Sequence, residues 1–305
     1  MEFVMSRRVI RGFLRSDGTP NFSNNVYSKP KELEYLVQKP VVSATASTPI
    51  IKAIDLMLSK GIRRVPITTS KGELIGIITA TDMVNFFGGG EYYNLVKLRY
   101  GGRFFSALYA PVESIMTREV VCADVGESFS EVLEKMIREN VGSVPVVDDS
   151  ILMGIITEYD VVRYLSGRSM TGKVEDYMSR NPVMASPSIT IKSIARLMVS
   201  NGFRRIPIVD GGDVRGIVTT MDIVRYFGEG KAFRKIILDE MDQVISVPAK
   251  EIMSEGAVKV NPHDKLGDVA PLIRTSGVGA VLVEDGGAII GILTERDLLM
   301  ALATE

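Results

Sequence analysis

Gly154-Ile155-Ile156-Thr157-Glu158-Tyr159-Asp160 is the stretch that decides the fold, because the chain contains four copies of its pattern. The other copies are Gly76–Asp82, Gly216–Asp222 and Gly291–Asp297. Each copy predicts a short buried strand that runs directly into a helix. Thr and the Asp three residues later have the spacing of a capping box, with Asp replacing the usual Glu or Gln. A helix cap explains one copy, whereas four equivalent copies indicate a repeated unit with a further use.

The sequence around each copy repeats as well. A turn containing Gly and an apolar strand containing Pro precede the first three copies, as in Gly61–Ile67. The fourth copy has Leu282 where the others have Pro. Three copies also follow similar lead-in segments, at Ser114–Thr117, Asp176–Ser179 and Glu251–Ser254. The repeated unit therefore reads strand, helix, strand, strand, helix.

This fourfold pattern resembles the cystathionine-β-synthase (CBS) domain over about residues 33–302. The resemblance implies an α/β (α+β) fold of four β-α-β-β-α repeats, similar in organisation to the γ subunit of AMP-activated kinase. One face of each small sheet is apolar, and pairing of two repeats with pseudo-twofold symmetry covers it. We therefore expect two modules with clefts between paired repeats. The modules either stack within one chain as a flat disc or are each completed by a second chain.

The separations of the motif aspartates are long, short and long, which fits two modules with a helical insert inside each. Gly88, Gly89 and Gly90 break the chain without the lysine of a phosphate-binding loop, so we expect a hinge there. The predicted parts are an N-terminal arm (1–32), repeat 1 (33–87), a helical insert (88–111), repeat 2 (112–166), repeat 3 (167–228), a second helical insert (229–247) and repeat 4 (248–305).

The composition argues against several classes of protein. Lys and Arg number 36 against 37 Asp and Glu, so the net charge of −1 does not favour a nucleic-acid partner. No apolar run approaches the roughly 18 residues that a membrane helix needs. The N-terminus lacks the apolar core of a signal peptide, and Cys122 alone cannot form an internal disulfide. A cytoplasmic location is predicted.

The sequence offers no set of residues for catalysis. His263 is the single histidine and lies in a turn, and with one cysteine there is no ligand set for zinc and no Cys/His pair for nucleophilic attack. No hydrolase, dinucleotide or kinase motif is present. We therefore predict no catalytic residues, no metal, no catalytic cofactor and no enzymatic activity.

Binding is better supported, because each motif combines a helix N-terminus with an acceptor. Free N–H groups at the start of a helix and the Thr hydroxyl can hold an anion, while the Asp carboxylate suits the cis-diol of a ribose. The resemblance implies the same, because Thr/Ser-x-x-Asp is the adenosine-ligand signature of CBS domains. The predicted ribose-binding residues are Asp82, Asp160, Asp222 and Asp297, and the predicted residues at the sugar–phosphate junction are Thr79, Thr157, Thr219 and Thr294.

Phosphate requires cations, and these are distributed unevenly. Repeats 1 and 3 have Arg63-Arg64 and Arg204-Arg205 before the strand that contains Pro, whereas repeats 2 and 4 have small residues there. These pairs are either surface residues or bidentate phosphate ligands at a shared central site. The resemblance implies the second role, because basic residues at these positions hold nucleotide phosphates in four-repeat relatives. Arg163 and Arg225 follow their motif aspartates by three residues, so they help to hold phosphate or form ordinary helix contacts.

Adenine is expected between apolar side chains of the Pro strand and the backbone after the first strand. These positions are also ordinary core positions. The candidates are Ile62, Pro66, Ile67, Phe203, Pro207 and Ile208, with backbone at Ala44, Thr45, Ala185 and Ser186.

We therefore predict a non-catalytic regulatory sensor that binds AMP, ADP or ATP, changes conformation and regulates a protein partner. A homodimer is expected. One alternative is an S-adenosylmethionine sensor, whose cleft needs an apolar bed and no phosphate clamp. Another is a regulatory or scaffold subunit that acts mainly through its partner. A third links the protein to nucleic acid through the basic segment Arg7–Arg15 of the arm.

Overall fold

The structure is a computed structural model that describes Leu33, residues 36–165, Met170, and residues 172–236, 238–277 and 279–304. The predicted N-terminal arm, with its basic segment, lies outside the described residues. No described helix is both long and apolar enough to span a membrane.

The chain alternates short strands and helices, as the sequence predicts. The strands are β1 (Arg64–Thr68), β2 (Leu74–Thr79), β3 (Ala123–Asp124), β4 (Ser143–Asp148), β5 (Ile151–Thr157), β6 (Ser179–Arg180), β7 (Arg205–Asp210), β8 (Asp213–Thr219), β9 (Ser254–Glu255), β10 (Lys259–Val260), β11 (Ala280–Asp285) and β12 (Ala288–Thr294). The α-helices are α1 (Ile50–Lys60), α2 (Ala80–Val84), α3 (Tyr93–Arg99), α4 (Phe104–Leu108), α5 (Phe129–Arg138), α6 (Glu158–Leu165), α7 (Val174–Tyr177), α8 (Ile191–Asn201), α9 (Thr220–Gly228), α10 (Met241–Ile245), α11 (Leu266–Thr275) and α12 (Glu295–Thr304).

Each repeat is built on an antiparallel strand pair, in which the Pro strand lies beside the motif strand. In repeat 2, β4 pairs with β5, and β3 adds a parallel edge, which gives the order β3-α5-β4-β5-α6. Repeat 4 has the same order with β10, β11 and β12. In repeats 1 and 3 the first strand is reduced to single parallel bridges, Ala44–Ile67 and Ala185–Ile208. The mixed α/β architecture predicted from the sequence is confirmed.

Repeats 1 and 2 form one module, and repeats 3 and 4 form the other. In each module, the lead-in segment of one repeat pairs with the motif strand of its partner. The four antiparallel pairs occupy equivalent positions and are Thr117–Ile77, Gln38–Ile155, Ser254–Ile217 and Ser179–Ile292. The exchange is reciprocal, as pseudo-twofold symmetry requires.

The motif glycine is explained by this exchange, for which the sequence alone supplied no reason. A Cβ at Gly76 would lie 2.8 Å from Met116 Sδ and 3.0 Å from the Thr117 carbonyl oxygen. At Gly291 a Cβ would lie 2.5 Å from Met178 Sδ. Because real Cβ atoms do not approach other heavy atoms so closely, only glycine lets the lead-in segment cross the motif strand.

The two modules pack against each other within one chain, and neither needs a second chain to supply its partner repeat. One hydrophobic core joins repeats 1 and 3 with both inserts, and a second core joins repeats 2 and 4. The equivalent residues Phe87 and Phe227 are fully buried and stack with their ring centroids 3.9 Å apart. Aromatic stacking across the pseudo-symmetry axis therefore helps to fix the modules relative to each other.

The glycines after repeat 1 are packing residues rather than the hinge that the sequence suggested. Gly88 and Gly89 are buried in a π-helical turn, Asn85–Gly89. A Cβ at Gly89 would lie 2.7 Å from Val199 Cγ2 and 2.8 Å from the Ala195 carbonyl oxygen, both on α8. The absence of side chains lets the end of repeat 1 pack directly against a helix of repeat 3.

The two helical inserts contact each other beside the core of repeats 1 and 3. Phe104 N–H donates to the Asp239 carbonyl at 2.9 Å, and the Tyr93 hydroxyl donates to Asp242 at 2.8 Å. The outer side of the inserts exposes Leu98 and Leu238, with exposed fractions of 87% and 69%.

Candidate functional site

The four motif aspartates adopt the same capping geometry, in which one carboxylate oxygen closes the helix start. In repeat 3, Asp222 Oδ2 accepts from Thr219 N at 2.7 Å and from Thr219 Oγ1 at 2.7 Å. The Asp222 N–H donates back to Thr219 Oγ1. The same two bonds to Oδ2 hold Asp82, Asp160 and Asp297. Both halves of the expected capping box are present at Asp82, Asp160 and Asp222, and its carboxylate half is present at Asp297.

The second carboxylate oxygen, Oδ1, is not needed for the cap. At Asp222 it accepts from Arg225 Nη1 at 2.8 Å. At Asp160 it accepts from Gln38 Nε2 at 2.9 Å, and Arg163 Nη2 lies 3.8 Å away. Capping and ligand binding are therefore compatible roles for one carboxylate, because each role uses a different oxygen atom.

The surroundings of Asp82 alter its ionisation. Burial raises its pKa to about 6, and hydrogen bonds from Thr79 offset only part of that rise. A carboxylate with a raised pKa inside a cleft is typical of a functional position, although structural caps also show it.

A cavity of about 150 Å³ opens at Asp222. It lies between the motif helix α9 and the lead-in segment of repeat 4, which is where the sequence placed a cleft. A diol acceptor and two cations, Arg225 and Lys231, line the same space, so the cavity combines groups suited to a sugar and an anion. The lining residues are Asp222, Arg225, Tyr226, Lys231, Ile252, Met253 and Ser254.

The arginine pairs of repeats 1 and 3 meet near the interface of the two modules, together with two glutamates from repeats 2 and 4. Arg204 Nη1 donates to Glu158 Oε2 at 2.9 Å, and Arg63 Nη1 donates to Glu295 Oε2 at 3.0 Å. Arg296 Nη1 donates to Glu158 Oε1 at 3.1 Å. We call these residues, with Arg64 and Arg205, the central cluster. Its ion pairs join repeat 3 to repeat 2 and repeat 1 to repeat 4.

Glu158 is ionised in the cluster. Burial acts to raise its pKa, but the charges of Arg204 and Arg296 more than offset that effect, and the net pKa lies below the usual glutamate value. In the same way, the charge of Glu158 raises the pKa of Arg204. Glu158 is the shielded member of this charge pair, with a side chain that is 4% exposed, whereas the Arg204 side chain is 36% exposed.

Arg64 and Arg205 begin the Pro strands β1 and β7, and no carboxylate pairs directly with either within the described residues. Arg64 Nη1 donates to the Gly142 carbonyl, and the buried Nε of Arg205 has no hydrogen-bond partner among the described residues. Loss of hydration, followed by the like charge of a neighbouring arginine, lowers the pKa of each to about 10. Five arginines and two glutamates leave the cluster with an excess of positive charge.

The predicted adenine-binding residues are not all placed at a cleft. Ile67 and Ile208 are fully buried in the core, and the backbone groups of Ala44 and Ala185 are bonded to the Pro strands. Pro66 and Pro207 lie in those strands, Ile62 is partly buried, and Thr45, Ser186 and Phe203 are exposed. The structure therefore leaves Ile62, Phe203 and the loops at Thr45 and Ser186 as the more accessible adenine candidates.

A family model described as "CBS domain" matches residues 32–89, 112–167, 174–229 and 249–304. The chain belongs to the CBS-domain family. The matched residues include all four motif aspartates and both arginine pairs.

Two relatives and one solved structure match this chain over most of its length. The uncharacterized protein MJ1225 of Methanocaldococcus jannaschii is 34% identical over 269 residues, 87% of this chain and 96% of that protein. Its crystal structure, described as that of a proposed archaeal homologue of g-AMPK, matches with a TM-score of 0.82 and 33% identity, covering 89% of this chain and 99% of that one. A 33.4 kDa protein in a ribosomal RNA operon of Thermofilum pendens is 28% identical over 264 residues, 86% of this chain and 88% of its own.

The single histidine and the single cysteine of the sequence lie in ordinary surroundings. His263 is exposed and lies 3.0 Å from Glu175 through Nδ1, and Cys122 is partly buried. In the described part of the chain, no group of three His, Cys, Asp or Glu side chains could hold a metal ion.

Sequence reasoning missed four polar residues of the CBS clefts and the central cluster: Glu158, Glu295, Arg296 and Gln38. The signal for the glutamates was available, because the residue after the motif Thr is Glu in repeats 2 and 4 but Ala80 or Thr220 in repeats 1 and 3. Gln38 had a weaker signal, since it precedes the regular part of repeat 1. Its counterparts Thr117, Ser179 and Ser254 have short hydroxyl side chains.

Proposed function

We propose that this protein is a non-catalytic sensor of adenine nucleotides, with AMP as the leading ligand and ADP and ATP as competitors. The observation that carries the proposal is the cavity at Asp222. There the cap leaves Oδ1 for other donors, and Arg225 and Lys231 line the same space. A ribose diol donates to carboxylate oxygens, and a phosphate accepts from guanidinium and ammonium groups, so one nucleotide satisfies both kinds of group.

The central cluster supports a ligand with phosphate rather than a neutral or cationic one. Desolvated arginines in excess over carboxylates are costly, and an added anion relieves that cost. The cluster is also adjacent to the motifs, because Glu158 and Glu295 directly follow Thr157 and Thr294.

In repeat 3, Arg205 pairs with Thr219 across β7 and β8, and the Thr220 N–H donates to the Arg204 carbonyl. A nucleotide with its ribose at Asp222 therefore has this arginine pair beside the start of the motif helix.

Sensing requires that the ligand favour one arrangement of the protein over another. The ion pairs of the central cluster connect one module to the other, so a phosphate that binds there changes contacts between modules. We infer that this rearrangement is passed to a protein partner or to a second copy of the chain. The apolar side chains exposed on the inserts, Leu98, Tyr109 and Leu238, support a contact at that surface.

The test is a calorimetric titration of the purified protein with AMP, ADP, ATP and S-adenosylmethionine, repeated on Arg63→Ala and Arg204→Ala. The proposal expects binding of the nucleotides that weakens in both variants. Binding of S-adenosylmethionine alone, at an affinity that neither substitution changes, would favour the alternative sensor and make the arginines structural. No heat with any of the four compounds would leave the partner-scaffold role as the better account.

A further inference from the structure

The two glutamates of the central cluster are ion-paired with arginines to which the proposed function assigns phosphate binding. Glu158 accepts from Arg204 at 2.9 Å and from Arg296 at 3.1 Å, and Glu295 accepts from Arg63 at 3.0 Å. A carboxylate and a phosphate present the same paired oxygen acceptors to a guanidinium group. Each glutamate is therefore an internal substitute for the anion.

The positions of the glutamates follow the pseudo-symmetry of the molecule. Both directly follow the motif Thr, and both lie in the even repeats, whereas the arginine pairs lie in the odd repeats. Their pairs cross between modules in the same sense, from repeat 3 to repeat 2 and from repeat 1 to repeat 4. Because the two pairs are related by the pseudo-symmetry, they indicate a feature that both modules share rather than an isolated surface contact.

The central cluster also has an excess of positive charge, which an additional anion would neutralise. Arg64 has only the Gly142 carbonyl as an acceptor in the described structure, and the buried Nε of Arg205 has none. Two glutamates do not neutralise five arginines. A phosphate that binds in the cluster therefore contacts two kinds of arginine. Some are already paired with carboxylates, and others have no carboxylate partner in the described structure.

We propose that Glu158 and Glu295 are replaceable counter-ions, which a nucleotide phosphate displaces from Arg204 and Arg63 when it binds. The counter-ion role rests on the proposed function and describes how nucleotide binding is regulated. Displacement breaks the ion pairs that join repeat 3 to repeat 2 and repeat 1 to repeat 4, which couples occupancy of a cleft to the contact between modules. The glutamates thereby set the affinity for the phosphate group but not for the nucleoside.

The test uses Glu158→Gln and Glu295→Gln, which keep the side-chain shape and remove the competing charge. AMP and adenosine are titrated into the whole protein by calorimetry, with thermal unfolding as the check that each variant is folded. Glu284→Gln is the matched control, since Glu284 pairs with Lys259 and lies opposite Ile289, at the end of the β11–β12 pair that is remote from Glu295. The AMP affinity should rise about tenfold in the two cluster variants, because a competing charged hydrogen-bond partner has been removed. Adenosine affinity, and both affinities in the control, should not change.

The outcomes separate this proposal from the one it rests on. Unchanged or weaker AMP binding in both folded cluster variants, with AMP binding by the wild-type protein intact, overturns the counter-ion role and leaves the sensor function standing. An equal rise in AMP and adenosine affinity also overturns it, because the effect would then not involve phosphate. Failure of all the proteins to bind either compound overturns the sensor function itself. If Glu158→Gln does not fold, Glu295→Gln decides the question alone, since Glu295 is the more exposed of the two carboxylates.

Discussion

The cleft at Asp222 and the cleft at Asp160 have the same motif and the same cap but different surroundings. At Asp222 the residue opposite the motif strand is Ser254, the residue after Thr219 is Thr220, and cations line a cavity. At Asp160 the opposite residue is Gln38, which donates to Asp160 Oδ1, and the residue after Thr157 is the ion-paired Glu158. A motif that is repeated in sequence therefore does not imply a site that is repeated in function.

The largest difference is expected when the two aspartates are replaced. Asp222→Ala removes the ribose acceptor of the open cleft, and AMP affinity should fall about tenfold to a hundredfold, the range for a lost hydrogen bond to a charged group. Asp160→Ala removes an identical cap and is the matched control, because any loss caused by the cap alone appears in both variants. Calorimetry measures both. Equal losses in the two variants would contradict the inequality of the clefts.

A smaller effect is expected in the pH dependence of stability, through Asp82. The native state holds the Asp82 proton up to about pH 6, whereas the unfolded chain releases it near 3.8. Between these values the native state binds more protons, so this carboxyl makes the protein less stable as the pH rises. The difference in unfolding free energy between wild type and Asp82→Asn should therefore change by about 1 kcal/mol across this window, allowing for partial exposure of the group.

Urea denaturation of both proteins at pH values across that window measures the effect. Wild type should lose stability relative to Asp82→Asn as the pH rises. A difference that is constant with pH would mean that the Asp82 carboxyl titrates at the same pH in the folded and unfolded states.

The smallest effect concerns the residue that closes the cleft at Asp160. Gln38→Thr places there the residue type that lies opposite the motif strand of repeat 1, at Thr117, and it removes the Gln38 hydrogen bond to Asp160 Oδ1. We expect AMP binding at this cleft to strengthen about threefold, because one partly exposed hydrogen bond that competes for the carboxylate is removed. The gain should disappear in the double variant with Asp160→Ala. A gain that persists there would come from another cleft.

Sequence reasoning predicted the repeats, their pairing and the capping boxes, because these depend on local spacing and on hydrophobic patterns. It also identified the arginine pairs, whose uneven distribution is visible in the chain. It did not predict that Arg204 meets Glu158 or that Gln38 meets Asp160, because these residues are distant in sequence and meet only through the packing of repeats. The three glycines were misread for the same reason, since the closeness of Gly89 to Val199 exists only after two modules pack.

The most direct test of the central claim is a crystal structure of the protein with AMP. The account predicts that the ribose hydroxyls lie on Asp222 Oδ1 and that the phosphate points toward the central cluster, with Arg204 or Arg63 in contact with phosphate oxygen in place of glutamate. The cleft at Asp160 should retain the Gln38 contact at AMP concentrations that fill the cleft at Asp222. AMP bound away from the motif aspartates, or bound with the glutamate–arginine pairs intact and the phosphate in solvent, would contradict the account.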